Sequence, residues 1–201
     1  MCYNLLNNSK GGIPMNQKIS TKRIAMAGLM AALTVIGSWM RVKIPVDIGG
    51  NTAFHLGNIM CALSGILLGP WLGGASAGLG SALYDILLDP AYFDEAWITF
   101  LTKGAYGVVA GLVIRMGGKE WGYGKSILAT VAGALTYAIL YLGKSFLKNM
   151  IVSGLAADAA FLALGLKLPA TIFNAAVAII FAPILAVAIR KALKQSHISL
   201  E

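Results

Sequence analysis

The sequence predicts an all-α, polytopic membrane protein with six transmembrane helices, and three observations carry that expectation. Of its 201 residues, 58% are hydrophobic and only 12% are charged, with a mean hydropathy of +0.75, a balance outside the usual range of soluble domains. The apolar residues fall into six runs, most of them close to the roughly 20 residues a helix needs to cross a bilayer. The alternating pattern of a membrane barrel is missing, and an open sheet would leave unpaired edges in lipid.

Taken in order, residues 1–14 are polar and contain Gly11, Gly12 and Pro14, so they read as a disordered extension. A membrane domain follows over 15–195, with 196–201 as a short tail, and no cleavable signal peptide is evident. The first span, about 20–39, is rich in small residues. Ala27 and Ala31, and likewise Gly28 and Ala32, are spaced so that each pair shares one helix face and permits close helix approach. Such a face serves either packing inside the bundle or docking with a partner. Residues 41–53 contain Pro45, Gly49, Gly50 and Asn51 and read as a mobile surface loop. A second span, about 54–68, ends in a tight Gly/Pro turn and leads directly into a third, about 72–88. The fourth, about 97–114, closes on a basic, glycine-rich connection, and the fifth covers about 126–142. Residues 143–168 form a longer mixed segment, apolar enough to be partly helical and to lie over the bundle. The sixth span, about 169–188, begins at a proline and ends among basic residues.

Lysine and arginine set the orientation. With the N-terminus inside, the cytoplasmic side holds Lys10, Lys18, Lys22, Arg23, Arg115, Lys119, Lys125, Arg190, Lys191 and Lys194; the outside holds Arg41, Lys43, Lys144, Lys148 and Lys167. Both termini are therefore expected in the cytoplasm. The net charge of +8 lies at helix ends and not in one patch, which argues for topology and against nucleic acid.

Polar residues inside the apolar runs mark the candidate site. Asp85 on the third span and Lys103 on the fourth fall at nearly the same depth, close to the outer side, where His55 and Asn58 begin the second span. Tyr84, Trp97 and Thr99 surround that level, and Asn174 enters it from the sixth span. Intramembrane charges are costly and usually face an aqueous cavity or each other, so Asp85 and Lys103 read either as a structural ion pair or as ligand contacts. His55 reads either as a ligand contact or as a helix-start residue satisfied by the loop. Trp39, Trp71, Trp97 and Trp121 lie near span ends, where an aromatic belt is the ordinary explanation. No catalytic residues are expected, for no nucleophile stands with a base and no carboxylates are paired. No metal site is expected either, and Cys2 and Cys61 suggest no bridge.

The stretches FHLGNIMCALSGILLGPWLGG, AGLGSALYDILLD, TFLTKGAYGVVAGLVIR and the closing LPATIFNAAVAIIFAPILAVAIRKAL together resemble the S components of energy-coupling-factor (ECF) vitamin transporters. The similarity covers about residues 22–194 and is nearest to the riboflavin-transporter-like group that includes hydroxymethylpyrimidine and pyridoxine uptake proteins. The resemblance implies a multi-pass cell-membrane subunit that captures a small-molecule vitamin at its outer face. Its implied partners are a transmembrane coupling protein and two ATPases, with no cofactor of its own, since ATP is used by the ATPase subunits. It also implies that Ala27 and Ala31 belong to the docking face and that residues 42–53 gate the pocket. A pocket of about 300 to 1,000 Å³ with aromatic walls would suit a small planar heterocycle such as pyridoxine or the thiamin pyrimidine precursor. A queuosine precursor, riboflavin or cobalamin are alternative cargoes. A stand-alone secondary carrier would call for inverted repeats, and none is evident; a protein-only scaffold would not need charges gathered at one depth.

Overall fold

The computed structural model describes residues 20–44, 52–116 and 122–196. The expected disordered extension, the tail at 197–201 and Trp121 lie outside them. Within the described residues the chain forms six α-helices: α1 (Thr21–Trp39), α2 (Gly57–Leu68), α3 (Pro70–Leu87), α4 (Ala96–Arg115), α5 (Tyr123–Ile151) and α6 (Ala157–Gln195). Two short strands, β1 (Arg41–Ile44) and β2 (Thr52–His55), pair antiparallel with Arg41 opposite His55 and Ile44 opposite Thr52. They define the hairpin end of the bundle. The segment read as a mobile loop is paired at 41–44 and 52–55, and 45–51 lie outside the described residues; its strands are too short for sequence alternation to betray them.

α2 is the central pillar. All but one of its 12 residues are buried, and it packs against α1, α3, α4, α5 and α6. At 1.5 Å per residue it is only about 18 Å long, well short of a core about 30 Å thick. The space above its first turn is filled by the hairpin and the cavity beneath it. α2 ends at Gly69, whose φ of +86° turns the chain directly into Pro70 of α3, a backbone geometry that glycine adopts without strain.

Glycine also permits close helix contacts. A Cβ on Gly107 of α4 would lie 2.9 Å from the carbonyl oxygen of Gly73 and from Cα of Gly74 on α3. Neither backbone could retreat without moving its helix. On α1 the small residues divide between two faces. Ser76 of α3 donates a 3.0 Å hydrogen bond to the Ala27 carbonyl, and Gly80 packs on the Ala31 backbone, so Ala27 and Ala31 contact α3. Gly28 and Ala32 are exposed, and Gly28 has open space around it.

The outer surface is apolar. Leu79, Leu101, Leu135, Ile139, Phe173 and Ile180 are among many exposed large hydrophobic residues, a surface that fits hydrocarbon and would aggregate in water. Helices of sufficient length and hydropathy to cross a membrane include α4 with the 3-10 turn that precedes it, α5 and α6. α5 and α6, with 29 and 39 residues, are longer than the spans read from the sequence. Residues 143–151 continue α5, and 157–168 form the beginning of α6, which runs unbroken through Pro169 and Pro183. Lysines and Pro169 had interrupted the apolar signal. Among the described residues, the mixed segment is therefore mostly helix.

Candidate functional site

The hairpin lies over a cavity of about 90 Å³, room for several water molecules. It is well below the volume expected from the sequence. β1 and β2 lie directly on the site and contribute Arg41, Thr52, Ala53 and His55 to its lining.

Side-chain contacts hold that cover on two sides. Asp89, just beyond α3, accepts hydrogen bonds from Arg41 Nη1 at 2.9 Å and Lys43 Nζ at 2.8 Å, and it is itself buried. The Arg41 guanidinium also sits 4.0 Å over the Tyr84 ring. On the other side, Asn174 of α6 bonds the β2 backbone as another strand would. Its Oδ1 accepts from the His55 amide at 2.9 Å, and its Nδ2 donates to the Ala53 carbonyl at 2.8 Å.

The floor and walls carry the intramembrane charges. Asp85 and Lys103 line the same cavity, and each is only 5% exposed. They do not form an ion pair with each other. Lys103 instead donates to Asn58 at the start of α2 and lies 3.9 Å from the centroid of the Tyr137 ring. Asp85 shares the lining with Thr99. The pairing expected from depth alone is thus replaced by other partners of Lys103, because Asn58 and Tyr137 reach the ammonium first. A carboxylate and an ammonium consequently face one small volume from α3 and α4. Their demands are opposite, one for donors and one for acceptors.

The other candidate residues fall into distinct places. His55 lines the cavity, but its Nδ1 accepts the Gly57 amide at 3.2 Å, which ties the ring to the first turn of α2. Thr99 and Asn174 also line the cavity. Tyr84 is buried behind Arg41 and contributes through that contact. Trp97 is 64% exposed, on the outer surface of α4 and away from the cavity. Trp39 and Trp71 are exposed as well, as aromatic residues at a membrane boundary are.

Sequence reasoning missed the aromatic wall. Tyr137 and Tyr141 of α5 line the cavity and stack at 5.6 Å with an interplanar angle of 20°; Tyr106 continues the stack beneath Tyr137 at 6.2 Å. The signal was present as two tyrosines four apart, one helical turn, in an otherwise aliphatic span. Lys144, also on the lining, binds Glu95 together with Lys148 and so ties α5 to the 3-10 turn Pro90–Glu95. Among the described residues no group of His, Cys, Asp or Glu has the arrangement of a metal site.

Comparison with known proteins adds a family signal. A family model described as "ECF-type riboflavin transporter, S component" matches residues 18–191. An "Uncharacterized protein in gap 3'region" of Pyrococcus woesei is 32% identical over 115 residues, 57% of this chain and 72% of that protein. A "UPF0397 protein" of Streptococcus gordonii is 32% identical over 92 residues, 46% of each chain. Another, from Streptococcus pneumoniae, is 31% identical over 98 residues, 49% of this chain and 50% of the relative. The chain spans about half the length of these UPF0397 relatives. No solved structure is significantly similar to it.

Proposed function

Because the chain belongs to the ECF-type riboflavin transporter S-component family, a family of membrane transporter subunits and not of enzymes, we propose that it captures a small planar vitamin or vitamin precursor beneath its hairpin. The hairpin end faces outward in this reading, and both termini lie in the cytoplasm. Delivery inward depends on a transmembrane coupling protein and two ATPase subunits, which use the ATP. The observation that carries the reading is the meeting of Asp85, Lys103 and the Tyr137–Tyr141 stack around one cavity. A flat heteroaromatic ring fits against tyrosine faces, and its ring nitrogens and hydroxyls can serve a carboxylate and an ammonium together.

Size favours a small cargo. A cavity of about 90 Å³ suits a single substituted ring better than a larger cargo, and the hairpin is the part held chiefly by side chains. Pyridoxine or hydroxymethylpyrimidine is the preferred cargo; riboflavin, after which the family is named, requires a larger displacement of the cover. A queuosine precursor or cobalamin ranks lower on the same ground.

Calorimetric titration of the purified chain with pyridoxine, hydroxymethylpyrimidine and riboflavin tests the reading. One of the single-ring compounds should bind, and Asp85→Asn should weaken it roughly 10- to 100-fold, since a hydrogen bond to a charged group contributes about 1.5–3 kcal/mol. Binding unaffected by Asp85→Asn would place the cargo elsewhere.

A further inference from the structure

The polar wall does not stop at the cavity. On α5, Tyr137, Tyr141, Ser145 and Asn149 recur every four residues and so share one helix face. The first two line the cavity, while Ser145 and Asn149 are buried further along the helix. Lys167 of α6 reaches this face, its Nζ 3.4 Å from Ser145 Oγ.

This group is poorly matched in charge. Lys167 is 6% exposed, and Ser145 is its one side-chain hydrogen-bond partner among the described residues, with no carboxylate at ion-pair distance. Glu95, the nearby carboxylate, is already shared by Lys144 and Lys148. Asp158, the preceding acidic residue on α6, is exposed and lies about nine residues, or some 13 Å, along the helix. Asn149 is 2% exposed, and its Nδ2 is buried without a hydrogen-bond partner. A buried ammonium thus contacts Ser145 on this face of α5, and one turn further along the same face Asn149 buries a second unmatched donor. Burying such donors without acceptors is unfavourable, and a buried ammonium lacking a counter-charge is more so.

We propose that Lys167, Asn149 and Ser145 form an oxyanion site in the α5–α6 seam, separate from the heterocycle cavity and adjoining it. A phosphate group supplies what the seam lacks: negative charge and several acceptor oxygens. The same chemistry is offered by a lipid headgroup at the membrane surface and by a free phosphate. The site does not rest on the identity of the transported ring.

The test uses the full chain, delipidated in a neutral detergent, and follows thermal unfolding in chloride with and without millimolar inorganic phosphate at constant ionic strength. A parallel sample exposed to phosphatidylglycerol is read by native mass spectrometry. A phosphate-dependent rise of about 2–4 °C that Lys167→Gln abolishes and Lys167→Arg keeps assigns the site to a free oxyanion. A phosphatidylglycerol adduct lost in Lys167→Gln assigns it to the headgroup. Without phosphate or lipid, Lys167→Gln should unfold no lower than the wild type, because it removes an uncompensated buried charge. If that variant fails to fold, Lys167 is structural and the proposal is overturned. Asn149→Leu provides an independent check, with the same loss of response expected. No shift and no adduct in the wild type, or equal responses in the variants, would also overturn it. Heterocycle titration should be unchanged by Lys167→Gln, so this result and the cavity assignment can fail separately.

Discussion

Lys103 shows why residue-scale chemistry was partly readable in advance. An ammonium within an apolar run had to be compensated, and Asp85 at similar depth was the evident candidate; the structure gives it Asn58 and the Tyr137 ring instead. Depth follows from counting residues, but which side chain reaches which requires helix rotation, and rotation is set by packing. The same limit hid the Tyr137–Tyr141 wall, whose spacing was plain but whose direction was not. Lys103→Met should weaken heterocycle binding at least tenfold, a loss of about 1.4 kcal/mol or more. It should also cost stability, about 1–3 kcal/mol, because Asn58 is left buried without its donor. Calorimetry and thermal unfolding separate the two effects; unchanged affinity in a folded Lys103→Met protein would remove this residue from the site.

At the scale of elements, six helices were legible because each carries an apolar run bounded by charged or turn residues, and the turn at Gly69 and Pro70 was legible because few residues make such a turn. The hairpin was not, since its strands have four residues each and are fixed by distant partners, Asp89 and Asn174. Nor were the full lengths of α5 and α6, whose lysines read as a break although Lys144 and Lys148 bind Glu95 beside the bundle. The hairpin is the element whose movement bears most directly on the site, since its strands contribute Arg41, Thr52, Ala53 and His55 to the lining. Asp89→Asn removes the charge that binds both Arg41 and Lys43, so it should loosen the cover without touching the tyrosine wall. The expected result is faster ligand dissociation, by about tenfold or more given roughly 1.5–3 kcal/mol for a hydrogen bond to a charged group. Stopped-flow dissociation measures this, and an unchanged rate would show that other contacts hold the hairpin.

The whole molecule is a bundle organised around a short buried helix, with lipid-facing leucines and phenylalanines outside and its concentrated polarity at one end. Its overall architecture follows from hydropathy, whereas the division of α1 into two small-residue faces does not: Ala27 and Ala31 are used against α3, leaving Gly28 and Ala32 open. The open pair is the better docking candidate. Gly28→Leu should therefore reduce co-purification with the coupling protein while preserving ligand affinity, whereas Ala27→Leu should lower the unfolding temperature. Equal co-purification of Gly28→Leu and wild type would move the docking face off this side of α1. The capture of a small heterocycle is the claim on which the rest depends, and native mass spectrometry of the protein purified from rich medium tests it most directly. The account predicts one bound heterocycle per chain, released on unfolding and lost in Asp85→Asn. A protein that emerges empty and then binds none of a panel of vitamins and precursors would contradict it.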